Sequence, residues 1–174
     1  KFAKNYKNTA NFFTRVLAID FNTPEFKKEK KHIFAKMVQG EKDMACYQVR
    51  HHKQDLVVNP IQVLASHLNK VEEILLLNNI KEKDVVISVP GYLTIDERKA
   101  IMAAGHISNL NIVTLEEESE CNVKNYGIFR KKDLSDEPRL VAFVDFGHSK
   151  SSIYFAEVTK KSAKILYEDN HRHL

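Results

Sequence analysis

Residues 139–152 read RLVAFVDFGHSKSS, a run of apolar residues that leads directly into Asp145 and then into a turn around Gly147. Residues 140–144 are apolar and mostly β-prone, which predicts a strand buried on both faces. Residues 151–158 return to a β-like pattern, so we expect strand, turn and strand to form a hairpin. A carboxylate at a strand end can face a cation, and a glycine beside it lets the backbone approach an anion. The stretch predicts a phosphate-binding hairpin, although Asp-x-Gly between strands is also an ordinary β-turn pattern.

Two upstream windows have a similar strand-to-turn character. Residues 84–98 read DVVISVPGYLTIDER, a second buried strand followed by Pro-Gly and a helix start. Residues 112–128 read IVTLEEESECNVKNYGI, a short strand, a cluster of carboxylates and a helix. Asn59 with Pro60 opens the clearest helix of the chain, after three strand-like runs. Strands that alternate with helices after a strand-rich opening indicate an α/β fold.

The composition narrows the class of protein. With 174 residues, of which 43% are hydrophobic, the chain can bury the core of one domain or of two small subdomains. The net charge of +4 is mild and the basic residues are interleaved with acids, so we expect no nucleic-acid partner. Cys46 and Cys121 are too few for a disulfide framework and indicate reduced intracellular thiols. The longest apolar run, residues 74–77, is too short to span a membrane, so no membrane partner is expected.

In their order and spacing, the three windows resemble the heat-shock protein 70 superfamily, the actin-like ATPase chaperones. The matching windows of that family read V-P-A-Y-F-x-x-x-x-R, N-E-P-T-A-A-A-x-x-Y-G and D-L-G-G-G-T. The third window here reads D-F-G-H-S-K from Asp145, which is similar to the D-[IL]-G-H-S of the heat-shock protein 110 branch. Residues 7–9 with Arg15 resemble the K-N-T-x-x-x-x-x-R of that branch, and residues 126–129 its Y-G-I-F. The resemblance covers essentially the whole chain.

This resemblance implies a partial actin-like ATPase fold of the ribonuclease H-like α/β class, with most of lobe I and the first hairpin of lobe II. Residues 1–58 would be the strand-rich outer subdomain of lobe I, and residues 59–136 its inner α/β subdomain. Residues 137–174 would begin lobe II with the phosphate-binding hairpin. The family's first phosphate hairpin and catalytic lysine would precede Lys1, and its G-G-x-x-F-D turn would follow. We therefore expect a fragment that carries half of the nucleotide site.

The resemblance also assigns roles to the residues of the hairpin. Asp145 takes a catalytic position and would hold Mg²⁺ through water. Gly147, His148 and Ser149 would offer backbone N–H groups to the phosphates, together with Lys150. Lys150 stands where hydrolysing relatives have a threonine whose hydroxyl contacts the attacking water or the γ-phosphate. The replacement puts hydrolysis in doubt and predicts at most a weak ATPase.

Glu118 falls on the family's acidic position near the metal, when counted back from the Tyr-Gly of the second window, and is the second catalytic candidate. The neighbouring residues depart from the family's N, P and T. The alternative is that Glu118 belongs to a solvated helix start, where acidic side chains are favoured by the helix dipole. This alternative includes the other acids of the segment, Glu116, Glu117 and Glu120.

Pro90 and Arg98 match the family's proline switch and its arginine relay, which pass the nucleotide state to the interdomain surface. Without the resemblance, Pro90 is a strand-end proline and Arg98 a surface arginine on a helix. The resemblance therefore predicts an allosteric role that the residue pattern alone leaves open.

The resemblance implies ATP or ADP with Mg²⁺ as ligands and an ATP-binding chaperone regulator of the heat-shock protein 110 type. Such a protein acts as nucleotide-exchange factor and holdase for a heat-shock protein 70 partner in the stress response. It also holds unfolded polypeptide clients through domains absent from this chain. A cytoplasmic location is implied, with the endoplasmic reticulum lumen as the alternative. The alternative functions are an ATP-hydrolysing folding chaperone of the heat-shock protein 70 type and a degenerate actin-like module that binds no nucleotide.

Overall fold

The computed structural model describes residues 2–148 and 150–172, with side chains from Lys4 onward. The helices are α1 (Phe2–Asn5), α2 (Pro24–Glu29), α3 (Pro60–Leu77), α4 (Ile95–Ile107) and α5 (Glu118–Phe129). The strands are β1 (Lys36–Gln39), β2 (Ala45–His51), β3 (Gln54–Val58), β4 (Asp84–Val89), β5 (Asn111–Glu117), β6 (Arg139–Phe146), β7 (Ser151–Val158) and β8 (Ala163–His171). Short 3₁₀ turns occupy Tyr6–Asn8, Phe13–Val16, Lys30–His32 and Glu41–Asp43. This mixture of elements confirms the predicted α/β class.

The chain forms two compact units. The first combines the chain up to Val85 with Ile95–Ile112, and the second combines Val86–Thr94 with the chain from Val113 onward. The division into segments 1–58, 59–136 and 137–174 stays a prediction about the subdomains of a larger fold.

The first unit is built around the antiparallel sheet β1-β2-β3, in which Tyr47 lies opposite both Met37 and Val58. Its core consists of buried apolar side chains from the sheet and from the segments before it: Val16, Phe26, Ile33, Ala35, Met37, Ala45 and Tyr47. The hydroxyl of Tyr47 donates to the carbonyl oxygen of Asn11 at 2.7 Å. Since a buried hydroxyl is costly without a partner, this hydrogen bond helps to hold the irregular opening segment on the sheet.

The same unit contains a nearly buried ion pair between Arg15 and Glu29. The distance from Arg15 Nε to Glu29 Oε2 is 2.8 Å, and the two side chains are 15% and 3% exposed. The pair joins the 3₁₀ turn at Phe13–Val16 to the last residue of α2. Arg15 therefore has a structural role in this unit.

Helix α3 begins where the sequence predicts. The side chain of Asn59 accepts a hydrogen bond from the backbone N–H of Gln62, and the side chain of Gln62 accepts one from the backbone N–H of Asn59. Pro60 occupies the first turn, where its missing N–H costs nothing. This reciprocal capping fixes the start of the helix.

The second unit is built around the antiparallel sheet β6-β7-β8, against which α5 packs. Its core joins Val123 of α5 to the β7 residues Tyr154, Ala156 and Val158, with Leu134 from the connecting segment. In the predicted hairpin, which is confirmed, Asp145 lies opposite Ser152. Strands β4 and β5 form a separate two-stranded sheet.

The expectation that residues 140–144 form a strand buried on both faces is wrong for β6. Leu140 and Val144 are 64% and 54% exposed, whereas Val141 and Phe143 pack against the core. Successive side chains of a strand point to opposite faces, and in this unit only one face of the sheet meets α5. In the described part of the chain, no helix combines the length and apolar composition needed to cross a membrane.

Candidate functional site

The tip of the β6–β7 hairpin is a tight turn. The backbone N–H of Gly147 donates to the carbonyl oxygen of Lys150 at 2.9 Å. A Cβ atom at Gly147 would lie 3.3 Å from that oxygen and 3.9 Å from Lys150 Cγ. The glycine therefore permits the close turn, and its own N–H is used inside the hairpin. Since this N–H is already bonded, the contribution of Gly147 to the predicted phosphate site would be the space left by its missing side chain.

The other predicted backbone contacts, His148 and Ser149, follow Gly147 in the sequence. His148 is an exposed residue in a bend directly after Gly147. Ser149 lies outside the described residues. The phosphate-binding roles of Gly147, His148, Ser149 and Lys150 stay predictions.

Helix α5 starts beside this hairpin with Glu118 as its first residue. Glu116 and Glu117 are the last residues of β5, and Glu117 is also the N-cap of the helix, whose first turn contains Glu118 and Glu120. The carboxylate of Glu118 stands at the positive end of the helix, where a negative charge is favoured. The helix start and the strand end thus bring Glu118 near Asp145, which sits one residue before the end of β6.

The side chain of Lys150 lies between these two acids. Its ammonium group contacts the carboxylate of Glu118, and Lys150 Nζ is 3.7 Å from Asp145 Oδ2. Lys150 is 20% exposed, Glu118 32% and Asp145 46%. The three residues that the sequence places in the nucleotide site are therefore in contact as one charged cluster. The sequence did not predict that Lys150 pairs with the acids.

A fourth charged residue acts on this cluster. Partial burial lowers the pKa of Lys150 from its ordinary value, and the negative charge of Glu168 raises it in part. The Glu168 carboxylate also accepts hydrogen bonds from the Ser119 hydroxyl at 2.8 Å and from the Asn170 amide at 2.7 Å. Glu168 lies on β8, and no sequence signal connects it to the hairpin tip. The effect of burial is the larger of the two, so the pKa of Lys150 lies below its ordinary value.

The charged cluster lines a cavity of about 320 Å³. Its wall includes the cluster residues Glu118, Asp145 and Lys150, with three residues that sequence reasoning missed: Ser88, Cys121 and Asn122. Ser88 carries a recognisable signal, because it is the one polar residue among the apolar residues of 85–89. Cys121 and Asn122 follow Glu118 by three and four positions, the spacing that shares one helix face.

Pro90 and Arg98 lie in different units. Pro90 directly follows β4, and its carbonyl accepts a hydrogen bond from the Leu93 N–H at 3.2 Å. The turn is close to β8, since a Cβ atom at Gly91 would lie 3.1 Å from both Glu168 Oε1 and Asn170 Nδ2. Arg98 is a half-buried residue of α4 in the first unit. Their coupling stays a prediction.

The chemistry of the cluster fits a phosphate chain with a hydrated divalent cation. Mg²⁺ keeps several waters and is commonly held by one or two carboxylates and by the phosphates of its substrate. Asp145 and Glu118 supply two such carboxylates, and Lys150 supplies a cation for phosphate. Among the described residues, no group of three or more His, Cys, Asp or Glu side chains could hold a metal ion. The two carboxylates of Asp145 and Glu118 fit a cation that is held through its waters and through phosphate oxygens.

Comparison with known proteins finds one matching family and several similar relatives. The model of a family described as Hsp70 protein matches residues 1–169. A heat shock protein homolog of Lachancea kluyveri is 33% identical over 172 residues, and its namesake in Saccharomyces cerevisiae is 32% identical over 170 residues. Each alignment covers 95% of this chain and 24% of the relative. The 97 kDa heat shock protein of Strongylocentrotus purpuratus is 32% identical over 174 residues, or 98% of this chain and 20% of that protein. The chain thus spans at most 24% of the length of these relatives.

Proposed function

Since this chain belongs to the Hsp70 family, we propose that it forms part of an ATP-binding chaperone regulator of the heat-shock protein 110 type. The protein would serve as a nucleotide-exchange factor and holdase for a heat-shock protein 70 partner in the cytoplasm, with the endoplasmic reticulum lumen as the alternative. Its ligands would be ATP or ADP with Mg²⁺, and other parts of the protein would hold unfolded clients. The observation that carries this proposal is the contact of Lys150 with Glu118 beside Asp145.

This contact supports ATP binding more than ATP hydrolysis. When bound, ATP with Mg²⁺ would supply the phosphate chain and the metal's water shell, which Asp145 and Glu118 would face. Catalysis of phosphoryl transfer depends on positioning the attacking water and on stabilising charge in the transition state. Lys150 has no hydroxyl to position a water, and its ammonium group engages the Glu118 carboxylate. A cation that binds ground state and transition state equally tightens binding without accelerating the reaction.

Exchange activity would follow from the same site. Bound nucleotide would hold the two lobes of the complete domain closed, and the closed body would grip the nucleotide domain of the partner and release its ADP. Pro90 and Arg98 would report the nucleotide state to the interdomain surface. In this mechanism hydrolysis is dispensable, because binding alone supplies the closed state.

A single-turnover measurement separates this function from that of a hydrolysing chaperone. We expect the full-length protein to bind ATP but to hydrolyse it at least about a hundredfold more slowly than a hydrolysing heat-shock protein 70, since a positioned catalytic group commonly contributes that factor or more. Lys150→Thr should raise the rate about tenfold by freeing Glu118 and restoring a hydroxyl. Lys161→Thr, which removes an exposed lysine paired with Asp136 at 3.2 Å, is the matched control and should change nothing.

Equal turnover in the wild-type protein and a hydrolysing relative, after removal of contaminating ATPases, would favour the hydrolysing folding chaperone. That alternative has one structural observation in its support, because Glu118 and Asp145 line the same cavity. Absence of ATP binding under all conditions would instead indicate a degenerate actin-like module.

The Asp145 carboxylate gives a second test of the site. We expect Asp145→Asn to weaken ATP affinity about fivefold in Mg²⁺, because the neutral amide no longer orients the metal's water shell. In EDTA the same variant should bind ATP as well as the wild type or better, since one negative charge near the phosphates is gone. Calorimetry measures both affinities. Asp136→Asn removes the surface partner of Lys161 and serves as the control, and an Asp145 variant with unchanged affinity in Mg²⁺ would contradict the assignment.

A further inference from the structure

We propose that Lys150 is an internal cation of the nucleotide site, which takes the position between Glu118 and Asp145 and reduces the dependence of nucleotide binding on Mg²⁺. This inference rests on the proposed function. It adds a property to the site: one cation position with two alternative occupants, an ammonium group supplied by the chain and a divalent metal supplied by the solvent.

The geometry places the ammonium group at the position that a cation would need. Lys150 Nζ contacts the carboxylate of Glu118 and lies 3.7 Å from Asp145 Oδ2. The two acids come from different elements, the first residue of α5 and the end of β6, so they converge only through the fold. A cation that bridges two carboxylates lowers their mutual repulsion.

The position of Lys150 is not that of an ordinary surface lysine. Its side chain is 20% exposed, whereas that of Lys161 is 80% exposed although it also pairs with an aspartate. The backbone of Lys150 is fixed at the hairpin tip, since the Gly147 N–H donates to the Lys150 carbonyl oxygen at 2.9 Å. The ammonium group is therefore held at the cavity wall together with both acids.

The charge balance of the site explains the expected effect on binding. Two carboxylates alone repel a polyphosphate, and a divalent cation normally removes that repulsion. Lys150 already neutralises one of the two negative charges, and its remaining N–H donors can face phosphate oxygens. Nucleotide can then approach without metal, while an incoming metal must displace the ammonium group from Glu118.

The test compares the dissociation constants of ADP in EDTA and in Mg²⁺, measured by calorimetry on the full-length protein. We expect the ratio of the two constants to be at least about tenfold larger for Lys150→Thr and Lys150→Met than for the wild type, a change of about 1.4 kcal/mol in the contribution of Mg²⁺. Lys150→Arg keeps the charge and should keep the wild-type ratio. Lys161→Thr removes an equal charge from the surface and should also leave the ratio unchanged.

The outcomes distinguish this inference from the proposed function. If every variant binds ADP with the same ratio of dissociation constants in EDTA and in Mg²⁺, the proposal that Lys150 is an internal cation is overturned. Nucleotide binding by the site would still stand. A merely structural salt bridge gives that result, with a lower unfolding temperature for Lys150→Met and no change of ratio. Failure of the wild type to bind ADP in either buffer would overturn the proposed function itself, and this inference with it.

A second measurement needs no nucleotide. If Lys150 holds the cation position, Mn²⁺ titrated into the nucleotide-free protein should bind at least about tenfold more tightly to Lys150→Met than to the wild type, because two carboxylates are then free to hold it. Electron paramagnetic resonance of the unbound Mn²⁺ measures this affinity. The arginine variant should bind Mn²⁺ as weakly as the wild type. Equal Mn²⁺ affinity of the methionine variant and the wild type would show that Lys150 does not compete with metal.

Discussion

Replacement of Gly147 by aspartate is expected to abolish ATP binding, with an affinity loss of at least about a hundredfold, or roughly 2.7 kcal/mol. A Cβ atom at this position would lie 3.3 Å from the carbonyl oxygen of Lys150 and 3.9 Å from its Cγ. The new carboxylate would therefore join Glu118 and Asp145 around a single ammonium group. It would compete with phosphate for Lys150 and repel the polyphosphate in addition.

Two variants separate charge from shape at this position. Gly147→Ala adds only the Cβ atom, whose 3.3 Å contact is tight but small, so we expect a modest loss of affinity. Gly147→Asn has nearly the volume of aspartate without its charge and should lie between alanine and aspartate. Calorimetry with ATP and Mg²⁺ measures all three. An aspartate variant that binds ATP like the wild type would place the phosphates away from this hairpin.

The same aspartate variant tests the exchange mechanism. Under the proposed exchange function, in which nucleotide holds the closed body, release of fluorescent ADP from a heat-shock protein 70 should slow together with the loss of ATP binding. Exchange that persists when ATP binding is lost would contradict closure by nucleotide as the mechanism. It would leave the phosphate-binding role of the hairpin intact.

Glu29→Ala should destabilise the first unit by about 3 kcal/mol, because it leaves the charge of Arg15 without its carboxylate partner in a nearly buried position. The distance from Arg15 Nε to Glu29 Oε2 is 2.8 Å, and Glu29 is 3% exposed. The pair connects the short 3₁₀ turn at Phe13–Val16 to the end of the six-residue helix α2. Amide hydrogen exchange of β1 and β2 in the full-length protein measures the effect, since those strands form the sheet of this unit.

The controls use the same helix and the same pair. Glu25→Ala removes an exposed acid from the first turn of α2 and should change stability by no more than about 0.5 kcal/mol. Replacing both Arg15 and Glu29 by methionine should recover most of the loss, because neither charge is then left unpaired. Unchanged exchange rates in Glu29→Ala would show that the pair contributes nothing to the fold.

Membership in the heat-shock protein 70 superfamily, and in its heat-shock protein 110 branch, was predictable from the sequence and is confirmed by the family match over residues 1–169 and by the relatives. The hairpin of β6 and β7 and the start of α3 were equally predictable. Both depend on local chemistry: β-prone residues around a turn with Gly147, and Asn59 with Pro60 before an apolar stripe. Such signals act between residues close in the chain, so one sequence is enough to read them.

The contact of Lys150 with Glu118 was decided only by the tertiary structure. The resemblance predicted that both residues belong to one site. It indicated that Lys150 stands where hydrolysing relatives have a threonine, and that Glu118 lies near the metal, but it did not predict that the two side chains pair. Their pairing requires the first residue of α5 to meet the hairpin tip, which lies far along the chain, and this follows from how the helix packs on the sheet. Glu168, from β8, acts on Lys150 through its negative charge, which no sequence signal indicated.

Local sequence patterns also failed to predict which face of a strand is buried and at which residue an element ends. An apolar run predicts a strand, but which face is covered depends on what packs there, and β6 meets α5 on one face only. Likewise, the run of acids before α5 carries no signal for the residue at which strand becomes helix, and in the structure Glu116 and Glu117 belong to β5. Sequence alone determined the family and the α/β class, and it predicted which residues form the candidate site. The tertiary structure decided which of their charges meet, because the energy of a charge depends on neighbours and burial that the linear order does not contain.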